Sequence, residues 1–262
     1  MNADPAKVDC GMSPESGERT AGWVLCVLKQ IGNPVRKGAR VLEIGCGNGE
    51  MVHALRDRGI DALGCDLRFK SGPRTASLRD AHLLKLIEIH PYRLPFEDAS
   101  FDFVVSVSVL EHVINLGETV QEMARVTRQR GAGLHMFPSR YRPLEPHTHV
   151  PLATLLRARG WLRFWALMGV RNSYQRNLKS GEIAEANYKY LRESTTYLSR
   201  RCIRRAFQKE FANVRFCEDL FVSCGTGALS NRMGLGRAMQ FSGLLTRLYS
   251  AARSRVICVE KQ

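Results

Sequence analysis

The chain has 262 residues, of which 44% are hydrophobic and 24% are charged, a composition that indicates a packed globular protein and excludes a disordered one. Its formal net charge of +14 favours an anionic partner, such as a phosphorylated metabolite, a nucleic acid or a membrane surface. No apolar run approaches the roughly 18 residues of a membrane-spanning helix, and the polar N-terminus lacks a signal-peptide core, so we expect a cytoplasmic protein.

The eight cysteines include no Cys-x-x-Cys pair. Several of them fall within or just after predicted buried strands. This pattern favours reduced thiols that act as small core residues over disulfides or metal ligands.

The predicted elements follow a flexible N-terminus of residues 1–18. A lead-in helix is predicted from ERTAGWVLCVLKQIG, then a strand, a helix and a strand from ARVLEIGC, EMVHALRDRG and DALGCDLR. Two further strands are predicted from LIEIHPY and FDFVVSVSV, then a helix with a glycine stop from GETVQEMARVTRQRG and a strand from GAGLHMF. The last elements are a helix, a strand, a helix and a strand, predicted from YLSRRCIRRAFQKEF, ANVRFCEDLF, FSGLLTRLYSAAR and SRVICVEKQ.

This alternation predicts one doubly wound α/β domain over residues 19–262, with a mostly parallel sheet covered on both faces. Residues 138–195 break the pattern with four prolines and arginine-rich helical stretches, so we interpret them as a lid or substrate insertion after the fifth strand. Residues 151–207 contain 12 Arg and Lys against 3 Asp and Glu, a surplus of +9. Most of the excess charge therefore belongs to one segment.

The first predicted strand runs into three glycines at alternate positions, in VLEIGCGNGE. Glycines at this point of a parallel sheet let the backbone approach a ligand. Glu43 precedes Gly45, Gly47 and Gly49, and an acid there disfavours a phosphate and favours a cationic ligand. A nucleoside that carries an amino acid and a sulfonium has that charge.

These residues resemble the class I S-adenosylmethionine-dependent methyltransferases of the small-molecule type. Three further landmarks fall at the family's spacing: Asp66 after the second strand, RLPFEDASFDFVV, and SVLEHV. The resemblance implies a Rossmann-like sheet of seven strands, the last antiparallel, and S-adenosylmethionine as cofactor. It implies a cofactor site formed by Glu43, Gly45, Cys46, Gly47, Gly49, Asp66, Leu67, His90 and Ser106.

One departure concerns adenine recognition. Most family members carry an aspartate where this chain has His90, and Pro91 after it offers no N–H. We expect an unusual adenine contact through the His90 ring or a carbonyl, or a His90 that satisfies only a strand end.

The segment FPSRYRPLEPHTHVPL is expected beside the methyl group, and it resembles the Glu-Pro-His-Thr segment of a bacterial branch of the family. His147 and His149 are the candidate general bases, with Glu145 to orient one of them. His112 is expected to cap or pack. No metal is expected, because the sequence has no His/Cys/Asp cluster at ligand spacing.

In the insertion, Trp161, Phe164, Trp165 and Met168 form a helical apolar stripe among arginines. This stripe either packs a lid helix or receives an amphiphilic anionic acceptor, and it would also let the enzyme rest on the inner face of a membrane.

The function predicted from the resemblance is methyl transfer to a small-molecule, glycan or lipid-linked acceptor, chiefly at oxygen. One alternative is RNA methylation, which the basic charge favours but which lacks the motifs of base-methylating enzymes. The other is a non-catalytic scaffold that kept the cofactor fold.

Overall fold

The structure is a computed structural model that describes residues 14–69, 72–224 and 243–262. Its strands are β1 Arg40–Ile44, β2 Asp61–Asp66, β3 Leu84–Leu86, β4 Glu88–Ile89, β5 Tyr92–Arg93, β6 Phe101–Val107, β7 Thr127–Pro138, β8 Asn213–Phe216 and β9 Ser254–Glu260. Its α-helices are α1 Pro14–Gln30, α2 Glu50–Arg56, α3 Pro73–Asp80, α4 Leu116–Val126, α5 Arg159–Leu167, α6 Ser180–Glu193, α7 Arg200–Phe207, α8 Leu220–Ser223 and α9 Gly243–Arg253. Two 3₁₀ turns span Leu110–His112 and Ser173–Gln175.

Seven strands form one sheet in the order β3-β2-β1-β6-β7-β9-β8. β1 pairs in parallel with β2 and β6, and β6 pairs in parallel with β7. β9 runs antiparallel to both of its neighbours, β7 and β8. The doubly wound, mostly parallel sheet with an antiparallel last strand is therefore confirmed. β4 and β5 form a separate hairpin.

Both faces of the sheet are covered by helices because its strands are apolar on both sides. Val41 and Leu42 are neighbours in β1 and point to opposite faces. Val41 belongs to a buried cluster with side chains of α1 and α2. Leu42 belongs to a second buried cluster with side chains of α4 and α7, including Phe207. The predicted three-layer arrangement follows from these two clusters.

Several predicted boundaries are wrong. LIEIHPY divides into β4, β5 and the end of β3, and ANVRFCEDLF ends as a strand at Phe216 and continues into α8. Two helix boundaries also differ. α1 begins at Pro14, so residues 14–18 are helical and not a flexible terminus, while residues 1–13 lie outside the described residues. α4 ends at Val126, and the residues predicted to continue it to a glycine stop begin β7, where Thr127 pairs with Phe101. Pairing with the central strand outweighs the weak helical pattern of this run. Of the predicted last helix, residues 241–242 also lie outside the described residues.

The prediction that all cysteines are reduced thiols is wrong for one pair. Cys26 of α1 is disulfide-bonded to Cys224, just after α8, across a sequence separation of 198 residues. Spacing along the chain cannot reveal such a pair, since the fold alone brings α8 to α1. Five cysteines have free thiols and four of them are buried, as expected: Cys46, Cys65, Cys217 and Cys258. Cys10 lies outside the described residues.

The predicted insertion contains α5 and α6 and has a small hydrophobic cluster of its own. Its buried members include Val150, Leu162 and Leu191. α7 follows the insertion but does not belong to its cluster. Its buried residues Ile203 and Phe207 pack against the sheet, in the same cluster as Leu42. Among the helices of the described residues, none is long and apolar enough to cross a membrane.

We expect Phe207→Ala to lower the free energy of unfolding by about 3–5 kcal/mol, because it empties a fully buried site beside Phe211 and His135. Urea titration of the variant measures this loss. Arg201→Ala changes an exposed residue of the same helix and is the control, with an expected change within about 0.5 kcal/mol. A small effect at Phe207 would show that α7 is not part of the core.

Candidate active site

The glycine turn after β1 adopts a left-handed backbone at each glycine. Gly45, Gly47 and Gly49 have φ angles of 73°, 54° and 75°. A Cβ on Gly45 would lie 2.2 Å from a methyl carbon of Val109, whereas a Cβ on Gly47 would meet nothing within 4 Å. Gly45 therefore permits close packing against the segment after β6, and Gly47 presents bare backbone to open space.

Two acids flank this turn. Asp66 ends β2, and one of its carboxylate oxygens accepts a hydrogen bond from the Gly47 N–H at 2.8 Å. Glu43 lies in β1 and is buried, and its Oε2 atom has no hydrogen-bond partner within the described chain. Burial raises the pKa of Glu43 well above its usual value, and the nearby Asp66 raises it further. The buried Oε2 atom is a hydrogen-bonding atom for which the described chain supplies no partner.

The other four predicted cofactor residues occupy different environments. Cys46 is buried within the turn, and burial raises the pKa of its thiol. Leu67 follows Asp66 and is 54% exposed. His90 is exposed at the tip of the β4–β5 hairpin. Ser106 is buried and its hydroxyl is hydrogen-bonded to the ring of His135 at 2.9 Å.

At the ends of β6 and β7, the carboxylate of Glu145 is the centre of a buried hydrogen-bond network. It accepts bonds from the backbone N–H and Nδ1 of His147, at 2.9 and 2.7 Å. It also accepts from the N–H and hydroxyl of Thr148, at 2.6 and 2.8 Å, and from the Tyr197 hydroxyl at 2.6 Å. Burial alone would raise the pKa of Glu145, but these hydrogen bonds and the charge of His147 lower it to about 2.

His147 also contacts the 3₁₀ turn that follows β6. Its ring lies 5.0 Å from the ring of His112, edge to face, and 5.4 Å from that of Tyr190. Glu111 precedes His112 and is buried. Val109, which packs on Gly45, lies just before this turn. The cluster around His147 is therefore adjacent in the chain to the contact with the glycine turn.

The structure brings together two of the three predicted catalytic residues. Glu145 orients His147 through a short hydrogen bond, as predicted for one of the histidines. His149 is exposed and has a φ of 59°, and its backbone N–H closes a turn on the Glu145 carbonyl. His149 is therefore placed outside the buried network, and His147 is the stronger candidate base.

Residues 42–134 match a family model that describes a methyltransferase domain. This segment contains the glycine turn, Asp66 and the strand that leads to Glu111. Residues 42–134 are therefore similar to a methyltransferase domain. A demethylmenaquinone methyltransferase from Beutenbergia cavernae is 35% identical over 109 residues, which are 42% of this chain and 44% of that protein. A ubiquinone biosynthesis O-methyltransferase from Paracidovorax citrulli is 32% identical over 106 residues, 36% of this chain and 42% of that protein.

The matches therefore span less than half the length of these curated relatives.

Solved structures of methyltransferases and related proteins share the fold of this chain. Phosphoethanolamine N-methyltransferase 2 from Haemonchus contortus superposes with a TM-score of 0.52 at 12% identity, over 100% of this chain and 61% of that one. The YcgJ protein from Bacillus subtilis gives 0.50 at 16% identity, over 93% and 98% of the two chains.

The sequence alone assigns no role to three polar residues of the cluster around Glu145 and His147. Tyr197 lies 52 positions after Glu145, and Thr148 stands within the EPHTH segment. Glu111 stands within SVLEHV. Their burial is the signal that separates them from ordinary surface residues, and it becomes visible only in the folded chain.

Glu145→Gln should lower the free energy of unfolding by about 2–3 kcal/mol at neutral pH, because the amide cannot accept all the hydrogen bonds of the carboxylate. The folded-state pKa of Glu145 lies near 2 against an ordinary value of 4.5, so its contribution is complete above 4.5 and is lost as pH falls toward 2. The difference between wild type and variant should therefore shrink by about 2 kcal/mol from pH 7 to pH 3.

Urea titrations at the two pH values measure this change. Glu185→Gln is the matched control, since this exposed carboxylate of the insertion forms only an ion pair with Arg159. An equal loss at both pH values would mean that Glu145 is not ionised at pH 3.

Proposed function

We propose that the protein is an S-adenosylmethionine-dependent methyltransferase that acts on a small-molecule acceptor. The observation that carries the proposal is the bare left-handed turn at Gly47, with Asp66 on one side and the packing contact of Gly45 with Val109 on the other. This arrangement supports a cofactor site joined directly to an acceptor site. The names of the curated relatives support the same reaction.

The residues around the turn fit the cofactor's chemistry. Asp66 is a carboxylate at the strand end, suited to accept from two adjacent ribose hydroxyls. The unpartnered oxygen of buried Glu43 suits a ligand that brings hydrogen-bond donors and positive charge. The open space above Gly47 would be closed by any side chain, and its φ of 54° disfavours one. When bound, the cofactor supplies an activated methyl group on sulfur.

Methyl transfer to a hydroxyl group requires alignment and removal of one proton. We assign proton removal to His147. The carboxylate of Glu145 accepts from Nδ1 of His147, which fixes the tautomer and would stabilise the charged ring. In the balanced reaction the acceptor oxygen bonds to the methyl carbon, the sulfur keeps the electrons of the broken bond, and the acceptor proton passes to the ring.

We further propose that the acceptor is amphiphilic, because the helix α5 exposes apolar side chains. Trp161 and Trp165 pack against the cluster of the insertion, whereas Phe164 is 49% exposed and Leu167 and Met168 are each 66% exposed. The predicted stripe therefore consists of two packed tryptophans and of apolar side chains that are exposed to solvent. Its basic surroundings suit an acceptor with an apolar tail and a negative head, presented in solution or at a membrane surface.

The cofactor site is tested by Asp66→Ala, which should weaken binding of S-adenosylhomocysteine by about 1–3 kcal/mol, or roughly 5- to 150-fold, because it removes a hydrogen-bond acceptor. Isothermal titration calorimetry measures the affinity. Asp61→Ala lies at the other end of β2 and should bind as the wild type does.

Gly47→Val should have an effect of the same sign, since it both strains the turn and fills the approach to it. If both Asp66→Ala and Gly47→Val bind S-adenosylhomocysteine with unchanged affinity, the ligand does not bind at this turn. A wild-type protein that binds neither S-adenosylmethionine nor S-adenosylhomocysteine would instead support a scaffold.

The acceptor site is tested by His147→Asn, whose amide nitrogen replaces the Nδ1 donor to Glu145 but leaves no second ring nitrogen. We expect turnover to fall about 10²- to 10⁴-fold with little change in S-adenosylhomocysteine affinity. His149→Asn makes the same chemical change at an exposed position and should keep most of the activity.

Turnover is measured as S-adenosylhomocysteine release with three acceptor panels: polyprenylated phenols, phosphorylated sugars and unmodified transfer RNA. Activity on the first panel is the expected result. Activity on transfer RNA alone would contradict a small-molecule acceptor, and normal turnover by His147→Asn would place the base elsewhere.

A further inference from the structure

Three side chains near the ends of β6 and β7 have metal-ligand chemistry and face one another. Each of Glu111, His112 and His147 offers one ligand atom, and these atoms lie within 4.8 Å of one another. Oxygen and nitrogen ligands bind Zn²⁺ at roughly 2.0–2.2 Å in tetrahedral geometry, so two ligand atoms of one ion are about 3.4 Å apart. The side chains must therefore rotate so that their ligand atoms approach one another by up to roughly 1.4 Å before they meet around one ion.

The hydrogen bonds of both histidines prepare them as ligands. Nδ1 of His112 donates to the backbone carbonyl of Ser194 at 2.7 Å, and Nδ1 of His147 donates to Glu145 at 2.7 Å. In a neutral His112 ring, donation through Nδ1 leaves the lone pair on Nε2. Nε2 of His112 lies 3.9 Å from a carboxylate oxygen of Glu111. A carboxylate or carbonyl behind a histidine is the usual outer support of a metal ligand.

Glu111 supplies an independent observation. Its side chain is buried, and neither carboxylate oxygen makes a hydrogen bond of normal geometry within the described chain. A carboxyl group without partners in a buried position is costly unless a ligand completes its bonding.

We propose that Glu111, His112 and His147 form a binding site for one divalent metal ion of the zinc type. Two imidazoles and one carboxylate suit Zn²⁺, Fe²⁺ or Co²⁺ and leave coordination positions open. His112 is the most exposed of the three, with 36% of its side chain accessible, so it provides the route by which an ion enters.

The metal site stands independently of methyl transfer, because it depends only on the three side chains and their supports. One consequence does rest on the proposed function. A ring nitrogen bound to metal cannot take a proton, so the two roles of His147 exclude each other and it would act as general base only in the metal-free protein.

The experiment titrates Co²⁺ into tag-free, full-length protein that has first been treated with a chelator and dialysed. One equivalent of Co²⁺ should give intensified visible absorption bands, and Zn²⁺ should abolish them. Glu111→Gln, which keeps the side-chain shape, should weaken binding at least about 10- to 100-fold. His112→Ala changes a partly exposed residue and should also lose the bands.

His149→Asn is the matched control and should keep the bands, since it alters a histidine of the same loop outside the cluster. Binding of S-adenosylhomocysteine by the same samples shows that each variant is folded and reports on the cofactor site separately. Absence of the bands in wild type, or equal bands in Glu111→Gln, would overturn the metal site without touching the proposed methyl transfer. If Glu111→Gln fails to fold, His112→Ala decides.

Discussion

The hydrogen-bonded cluster of His147, Thr148 and Tyr197 depends on one buried carboxylate, that of Glu145. Glu145 lies at the start of the insertion, and Tyr197, which donates to it, lies just beyond its end. The same carboxylate holds His147 in place through two bonds, one from the backbone and one from the ring. Because it accepts so many hydrogen bonds, it remains ionised despite its burial. The Glu145 carboxylate thus links the two ends of the insertion and also orients His147.

The contact between Gly45 and Val109 joins this arrangement to the cofactor half. Left-handed backbone at the glycine turn allows the segment after β6 to approach until no Cβ fits between them. The next residues of that segment include Glu111 and His112, and the backbone of Thr196 bonds to the Glu111 carbonyl at 2.6 Å. One close approach therefore sets the separation between the glycine turn and the cluster around His147. Under the proposed function, this separation aligns the methyl donor with the acceptor.

The cofactor half could be predicted from sequence because its determinants are local. The glycine turn follows its strand directly, and Asp66 ends the next strand, so their positions follow from the βαβ unit alone. The second site could be predicted only in part. Glu145 and His147 lie in one short motif, but Tyr197 and Glu111 reach them through the fold. His149 was an equal candidate by residue type, and only its exposure separates it from His147.

The insertion is stabilised by its own hydrophobic cluster, whose described members, such as Leu162 and Leu191, belong to neither of the clusters that cover the sheet. The methyltransferase family match, which ends at residue 134, stops before the insertion begins. Under the proposed function, such a division would let the acceptor site change while the cofactor site is kept. It would also make residues 138–195 the unit to exchange when the protein is engineered for a new acceptor.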